Sequence, residues 1–200
     1  MRMAGTGMSV NPSSIGENAT DFSTIKFVFL DRDGVINRKA PDGDYVTSWE
    51  DVQIPPGAEH AIALLNLASR KVIVVTNQRG IALGRMSEAD LLSIHETLQA
   101  HLGSFGAHLD AIYYCPHDHG QCTCRKPGTG MFDRAFLDFP EASPQNSVMN
   151  GDSDSDIIAG TSLGMKTILI TADTNYCDAL LTQPSASGRS LLAVAEAYLT

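Results

Sequence analysis

The sequence predicts an α/β protein built on a doubly wound parallel sheet, with a single domain over residues 25–200 and no cap domain. Three observations carry that prediction. Short β-branched or aromatic runs recur along the chain, each followed by a stretch of helical periodicity. Polar or acidic residues stand directly after four of these runs, and in an open parallel sheet such strand ends gather on one edge. The long insert outside this alternation, 38–56, can form a flap but is too short for a second domain.

In chain order, residues 1–24 are rich in Gly, Ser, Asn, Met and Thr and show no apolar period, so they are expected to be a disordered leader. The first strand, roughly 26–31, is the run Phe27, Val28, Phe29, Leu30, broken at Asp31. The segment 38–56 carries Pro41, Gly43, Pro55 and Pro56 and reads as irregular. From Gly57 to Ser69, Ala58, Ala61, Ile62, Leu64, Leu65 and Ala68 fall at helical spacing. Lys71 to Asn77 is a second strand. Ser87 to Leu102 is an amphipathic helix, with Ser87 as N-cap and Asp90 closing an approximate capping box. Asp110 to Cys115 is a third strand, and a Cys- and His-rich loop leads to a helix from about 130 to 137. Ser147 to Asn150 is a fourth strand, followed by a short helix with Ile157, Ile158 and Leu163. Lys166 to Thr171 is a fifth, and a polar loop leads to a final helix at about 190–199.

The net charge of -9 disfavours nonspecific binding to nucleic acid. No apolar run approaches the ~20 residues that span a bilayer, and the start lacks a signal-peptide pattern. A cytoplasmic protein without nucleic-acid or membrane partners is expected, and there four cysteines suggest metal or free thiols before disulfides.

Two carboxylates, Asp31 and Asp33, at the end of a buried strand are costly unless a cation sits between them. Asp31, Asp33 and Asp152 can together hold one Mg²⁺, a hard ion that takes oxygen ligands. Thr76 offers a hydroxyl and an N–H to phosphate oxygens, and Lys126 a point charge. Carboxylates alone repel an anionic phosphate, so metal plus lysine is the neutralising set. A carboxylate can then attack phosphorus, with Asp33 protonating the leaving oxygen and later activating water.

The runs DRDGVIN, TNQ, CRKP and GDSDSD resemble, in order and spacing, the four motifs of the haloacid dehalogenase (HAD) superfamily of phosphatases. The resemblance covers roughly residues 26–171. It implies a sheet ordered 5-4-1-2-3, with Asp31 as nucleophile, Asp33 as acid/base, Thr76 as phosphate binder and Lys126 as charge stabiliser. It also implies that Asp152 ligates Mg²⁺ along with Asp31 and the Asp33 carbonyl, and that Asp156 is an outer partner or holds Lys126. Asn150 stands where members of the superfamily commonly carry an apolar residue.

Between Cys115 and Cys124, three thiols and two imidazoles fall within ten positions. Cys-x-His and Cys-x-Cys pairs joined by a short turn can wrap one tetrahedral Zn²⁺, with Cys115, His117, Cys122 and Cys124 as ligands and His119 as the spare or the replacement for His117. Three reduced thiols or one disulfide are the alternatives; a disulfide cannot use all three. Four protein ligands leave no open position, so the zinc is expected to be structural and to hold Arg125 and Lys126 toward the phosphate. Cys177 is read as an unrelated thiol. The loop resembles that of a zinc-bearing HAD subgroup whose substrate classes are D-glycero-D-manno-heptose 1,7-bisphosphate and histidinol phosphate. The wording of 76–91 and of the Asp44-Tyr45-Val46 element is closer to the heptose enzymes.

A small phosphorylated sugar is therefore the expected partner and a monomer the expected state. Asn77 and Gln78, directly after Thr76, are expected to touch substrate, and Arg125 to bind its distal phosphate or hydroxyls through a planar fork. Arg32 is read as a backbone shield between the two aspartates, Asn37 and Arg38 as residues of the pocket mouth, and Trp49 as a pin for its segment. His60, His95, His101 and His108 are read as ordinary surface or core histidines. Protein purified without chelator is expected to carry about one zinc per chain by atomic emission; finding none overturns the loop assignment.

Overall fold

The computed structural model describes residues 20–200, excepting the side chains of 174, 177 and 178. The expected leader lies outside the described residues but for 20–24, and so does the Cys177 thiol. Within 20–24, Phe22 is buried against the Tyr198 ring, under the Lys166 ammonium.

Six strands, β1 (Phe27–Leu30), β2 (Lys71–Asn77), β3 (Ala111–Cys115), β4 (Ser147–Gly151), β5 (Lys166–Ile170) and β6 (Ala186–Gly188), form one sheet. All pairings are parallel, in the order β3-β2-β1-β4-β5-β6. The expected 5-4-1-2-3 order holds. The added edge strand β6 has no apolar run, because three residues, Ala-Ser-Gly, need only backbone pairing with β5.

Among the described residues, five helices connect the strands, α1 (Ala58–Leu67), α2 (Glu88–Gly103), α3 (Gly130–Asp138), α4 (Asp154–Ser162) and α5 (Thr174–Ala179), and α6 (Leu191–Val194) follows β6. α5 lies in what the sequence suggested was a polar loop. The expected final helix is α6 continued by a π turn at Ala195–Leu199. The Ser87–Asp90 capping box forms as expected, with the Asp90 N–H donating to Ser87 Oγ at 3.1 Å and the Ser87 N–H to Asp90 Oδ2 at 2.8 Å.

Period-two alternation on β1 divides the core. Val28 and Leu30 face one layer with Ala61, Ile62 and Leu65 of α1, Leu98 and Leu102 of α2 and Leu191 of α6. Phe27 and Phe29 face the other, with Met131 and Phe132 of α3 and Ala159 of α4. There the Phe29 ring meets Phe132 and Phe136 at centroid distances of 5.3 and 5.7 Å, contacts worth about 0.5–1.5 kcal/mol each beyond area burial. With β1 covered on both faces and paired on both sides, its carboxyl end opens only at the sheet edge, where Asp31 begins.

The 38–56 segment has one short turn of 3₁₀ helix at Trp49–Asp51 and no strand. Trp49 packs on the core and against the His101 ring at 5.6 Å, pinning the segment as expected. Among the described residues no helix is long and apolar enough to cross a membrane.

Two glycines are fixed by close approach. A Cβ on Gly34, whose φ is +95°, would lie 2.1 Å from Asp152 Oδ2, and one on Gly151 would lie 2.2 Å from Asp156 Cβ. Neither neighbour can withdraw without leaving the sheet edge. Gly151→Ala is expected to lower stability by about 2–3 kcal/mol, read as a lower urea midpoint at unchanged slope.

Candidate active site and metal centre

The four parallel strand ends bring Asp31, Thr76, Lys126, Asp152 and Asp156 together. Lys126 is the hub. Its ammonium is 3.0 Å from Asp31 Oδ1 and 2.5 Å from Asp156 Oδ1, and donates to the Val75 carbonyl at 2.7 Å. Burial works against its charge, but Asp156 and Asp31 offset that and raise its pKa above the usual lysine value. Asp156 is itself held by Ser153, whose N–H and hydroxyl donate to Oδ2 at 3.2 and 2.7 Å. The serine-aspartate pair that caps α4 therefore also orients a counter-charge of Lys126.

Asp31 is oriented by the Arg32 N–H, which donates to its Oδ1 at 2.7 Å. Burial pushes the Asp31 carboxyl up to about 7, helped by Asp156, Asp152 and Asp33 and opposed by Lys126. Burial also raises Asp152, opposed by the Lys39 ammonium on its Oδ2 at 3.0 Å. Oxygens of Asp31, Asp152 and Asp156 lie within 4.8 Å of one another, and Asp152 Oδ1 is buried without a hydrogen-bond partner. Three crowded carboxylates that share one buried ammonium and the more exposed one of Lys39, with an orphaned oxygen among them, fit a hard divalent cation held by Asp31 and Asp152.

The Asp33 carboxylate is not part of that cluster. It turns toward Arg32, Asn37 and Gln78. Burial would raise its pKa, but Arg32 and hydrogen bonds from Asn37 and Gln78 prevail and hold the carboxyl below its usual range. This use of the Arg32 and Asn37 side chains escaped the sequence. A charged residue between two aspartates on a buried strand end was the available signal.

Asn77 and Gln78, expected at the substrate, edge a cavity of about 360 Å³ that also holds Asp31, Asp33 and Thr76. Their polar atoms are engaged within the protein. Asn77 clasps the Lys126 backbone, donating to its carbonyl at 3.1 Å and accepting its N–H at 3.0 Å. Gln78 donates to Asp33 Oδ2 and Thr76 Oγ1, both at 2.9 Å. Arg125 differs: it lines the cavity, and its Nε and Nη1 are buried without a partner. Residues 39–46 of the flap cover the same cavity.

Cys115, His117, Cys122 and Cys124 also converge, and His119 is exposed outside the cluster. Cys115 Sγ is 3.5 Å from Cys122 Sγ and 3.3 Å from Cys124 Sγ, and His117 Nδ1 is 3.6 and 3.4 Å from Cys115 and Cys124. The three thiols are free. At ordinary metal–ligand distances a tetrahedral ion has edges of about 3.8 Å between sulfurs and about 3.5 Å between sulfur and nitrogen, so the set fits one tetrahedral ion. The Arg125 N–H donates to Cys122 Sγ at 3.4 Å, which ties this cluster directly to the catalytic loop.

A HAD-hydrolase-like family model matches residues 123–192. The D-glycero-alpha-D-manno-heptose-1,7-bisphosphate 7-phosphatase of Mycobacterium bovis is 43% identical over 131 residues, 65% of this chain and 68% of the relative. The chain belongs to the HAD-like phosphatase family. The D-glycero-beta-D-manno-heptose-1,7-bisphosphate 7-phosphatase of Vibrio cholerae is 40% identical over 151 residues, covering 72% of this chain and 79% of that one. Among structures, D,D-heptose 1,7-bisphosphate phosphatase from B. bronchiseptica, complexed with magnesium and phosphate, matches with a TM-score of 0.79 and 33% identity, over 86% of this chain and 97% of that one. The family's requirement for Mg²⁺ agrees with the carboxylate cluster.

Since a cation and a proton compete for Asp31, Mg²⁺ affinity is expected to fall as pH drops through 7. With the carboxyl at about 7, the Mg²⁺ dissociation constant should rise about eightfold from about pH 7.5 to about pH 6, measured calorimetrically in the absence of substrate. A pH-independent constant contradicts the carboxylate assignment.

Proposed function

We propose that this chain is a Mg²⁺-dependent phosphomonoesterase that removes the 7-phosphate of D-glycero-D-manno-heptose 1,7-bisphosphate. The observation that carries the chemistry is the Asp31 carboxylate at the end of β1, 3.0 Å from a buried ammonium and beside a buried Asp152 oxygen that has no hydrogen-bond partner among the described residues. The named relatives carry the substrate.

In the first step an oxygen of Asp31 attacks phosphorus and the bond to the sugar oxygen breaks, that oxygen taking a proton from Asp33. In the second, water attacks the same phosphorus, the bond to Asp31 breaks, and Asp33 takes the water proton. Asp33 is held low in pKa, which favours the carboxylate that the second step needs. The first step draws on its minor protonated form, so Asp33 takes up a proton from water before each attack and releases to water the one it gains in the second step. The buried Lys126 ammonium would offset the charge on the phosphoryl group, the Thr76 hydroxyl would donate to one of its oxygens, and Mg²⁺ held by Asp31 and Asp152 would supply the remaining positive charge. The free Nε–H and Nη1–H of Arg125 are the seat for the substrate's second phosphate or hydroxyls. Cys115, His117, Cys122 and Cys124 would hold a structural Zn²⁺, which would fix the loop that carries Arg125 and Lys126.

Asp31→Asn is expected to cut kcat by at least about 10³-fold with an unchanged circular dichroism spectrum, and EDTA to abolish turnover. The α- and β-heptose 1,7-bisphosphates, fructose 1,6-bisphosphate and histidinol phosphate should be ranked by kcat/KM. A heptose bisphosphate is expected to lead; equal turnover of histidinol phosphate overturns the substrate reading.

A further inference from the structure

Arg32 stands between the two aspartates of the catalytic pair, yet it is only 1% exposed. A buried guanidinium stays charged and offers donors only, so each N–H requires an acceptor. Nε donates to Asp33 Oδ1 at 3.2 Å, and Nη2 to Oδ1 and Oδ2 at 2.9 and 3.0 Å. Nη2 also reaches Gln78 Oε1 at 3.3 Å. Nη1 remains, and its acceptor among the described residues is His95 Nε2 at 3.3 Å.

That contact fixes the state of His95. Arginine cannot accept, so Nε2 must present a lone pair and the ring must be neutral with its proton on Nδ1. Burial and the Arg32 charge push the His95 pKa down to about 4, in keeping with that form. The ring sits on α2 and is braced by Tyr114, at a centroid distance of 6.0 Å.

We infer that His95 is a positioning residue: from α2 it locks the Arg32 guanidinium, and through it sets the Asp33 carboxylate for proton transfer. The inference rests on the phosphatase reading and extends it to a helix that contributes nothing to the substrate cavity. Asp33 must meet a leaving oxygen in one step and a water in the next, so its orientation bears on both. Its Oδ1 takes Arg32 and Asn37, its Oδ2 takes Arg32 and Gln78, and the side chain remains 23% exposed toward the reacting groups. Without an acceptor at Nη1 the fork can swing, and Asp33 swings with it, while the groups that bind substrate stay in place.

Steady-state kinetics on D-glycero-D-manno-heptose 1,7-bisphosphate, with His95→Leu and His95→Gln, tests this. His95→Leu is expected to lower kcat about tenfold with KM within about twofold. In His95→Gln the side-chain carbonyl can accept from Nη1, and kcat is expected to recover to within about threefold of the parent. An unchanged kcat in His95→Leu, or equal losses in the two variants, overturns the inference. If His95→Leu does not fold, Arg32→Lys, which keeps the charge but loses the fork, is expected to show the same loss in kcat alone; an unchanged kcat there overturns it equally. A parent enzyme that releases no phosphate overturns the phosphatase reading and this inference together, whereas an active parent with an unaffected His95→Leu overturns this inference only.

Discussion

A buried ammonium surrounded by carboxylates is the interaction on which the site depends. Lys126 is nearly without solvent contact, and its charge survives only because Asp31 and Asp156 flank it. Removing one member of such a set leaves an uncompensated charge at a cost of several kcal/mol. The carboxylates have the converse problem, since one buried ammonium and the exposed one of Lys39 do not balance three of them. Burial and mutual repulsion raise Asp31 and Asp152, a debt that a divalent cation discharges. The same imbalance that makes the metal-free site unfavourable makes it receptive to a phosphate bound with its metal.

The sheet creates this concentration of charge, and the loops control it. The strands beneath give the edge a dry base: Phe29 and Leu30 of β1 and Val148 and Met149 of β4 are fully buried below Asp31 and Asp152. The Asn77 clasp on the Lys126 backbone joins the end of β2 to the loop that the Cys and His cluster shapes. That cluster touches the catalytic loop again through the Arg125 N–H on Cys122. A tetrahedral ion there would therefore hold backbone that carries both the buried ammonium and the unpartnered guanidinium.

Around Asp33 the order of events is reversed: the side chains are spent on one another before any substrate arrives. Arg32, Asn37 and Gln78 supply its hydrogen bonds, and Gln78 reaches across to the Thr76 hydroxyl. The Asp33 carboxylate and the Thr76 hydroxyl are thus parts of one hydrogen-bonded network, joined through Gln78.

Much was legible in the sequence because it was local. The strand runs, the Ser87 cap, the motif carboxylates and the Cys and His spacing are patterns of a few residues, and each dictates its own geometry. A parallel sheet then places the ends of successive strands on one edge whatever the side chains are, so Asp31, Thr76, Lys126 and Asp152 were predictable as a group. What only tertiary structure decided are contacts between groups far apart in the chain with no periodic signature. β6 was invisible because its pairing uses backbone alone. His95 read as an ordinary helix histidine until α2 brought it to Nη1 of Arg32, and nothing local foretold that the Asn77 and Gln78 amides meet Lys126 and Asp33. The sequence by itself determined which chemistry the edge of the sheet carries; folding decided which polar atoms are left free to perform it, because a buried donor or acceptor must take whatever partner the packing supplies.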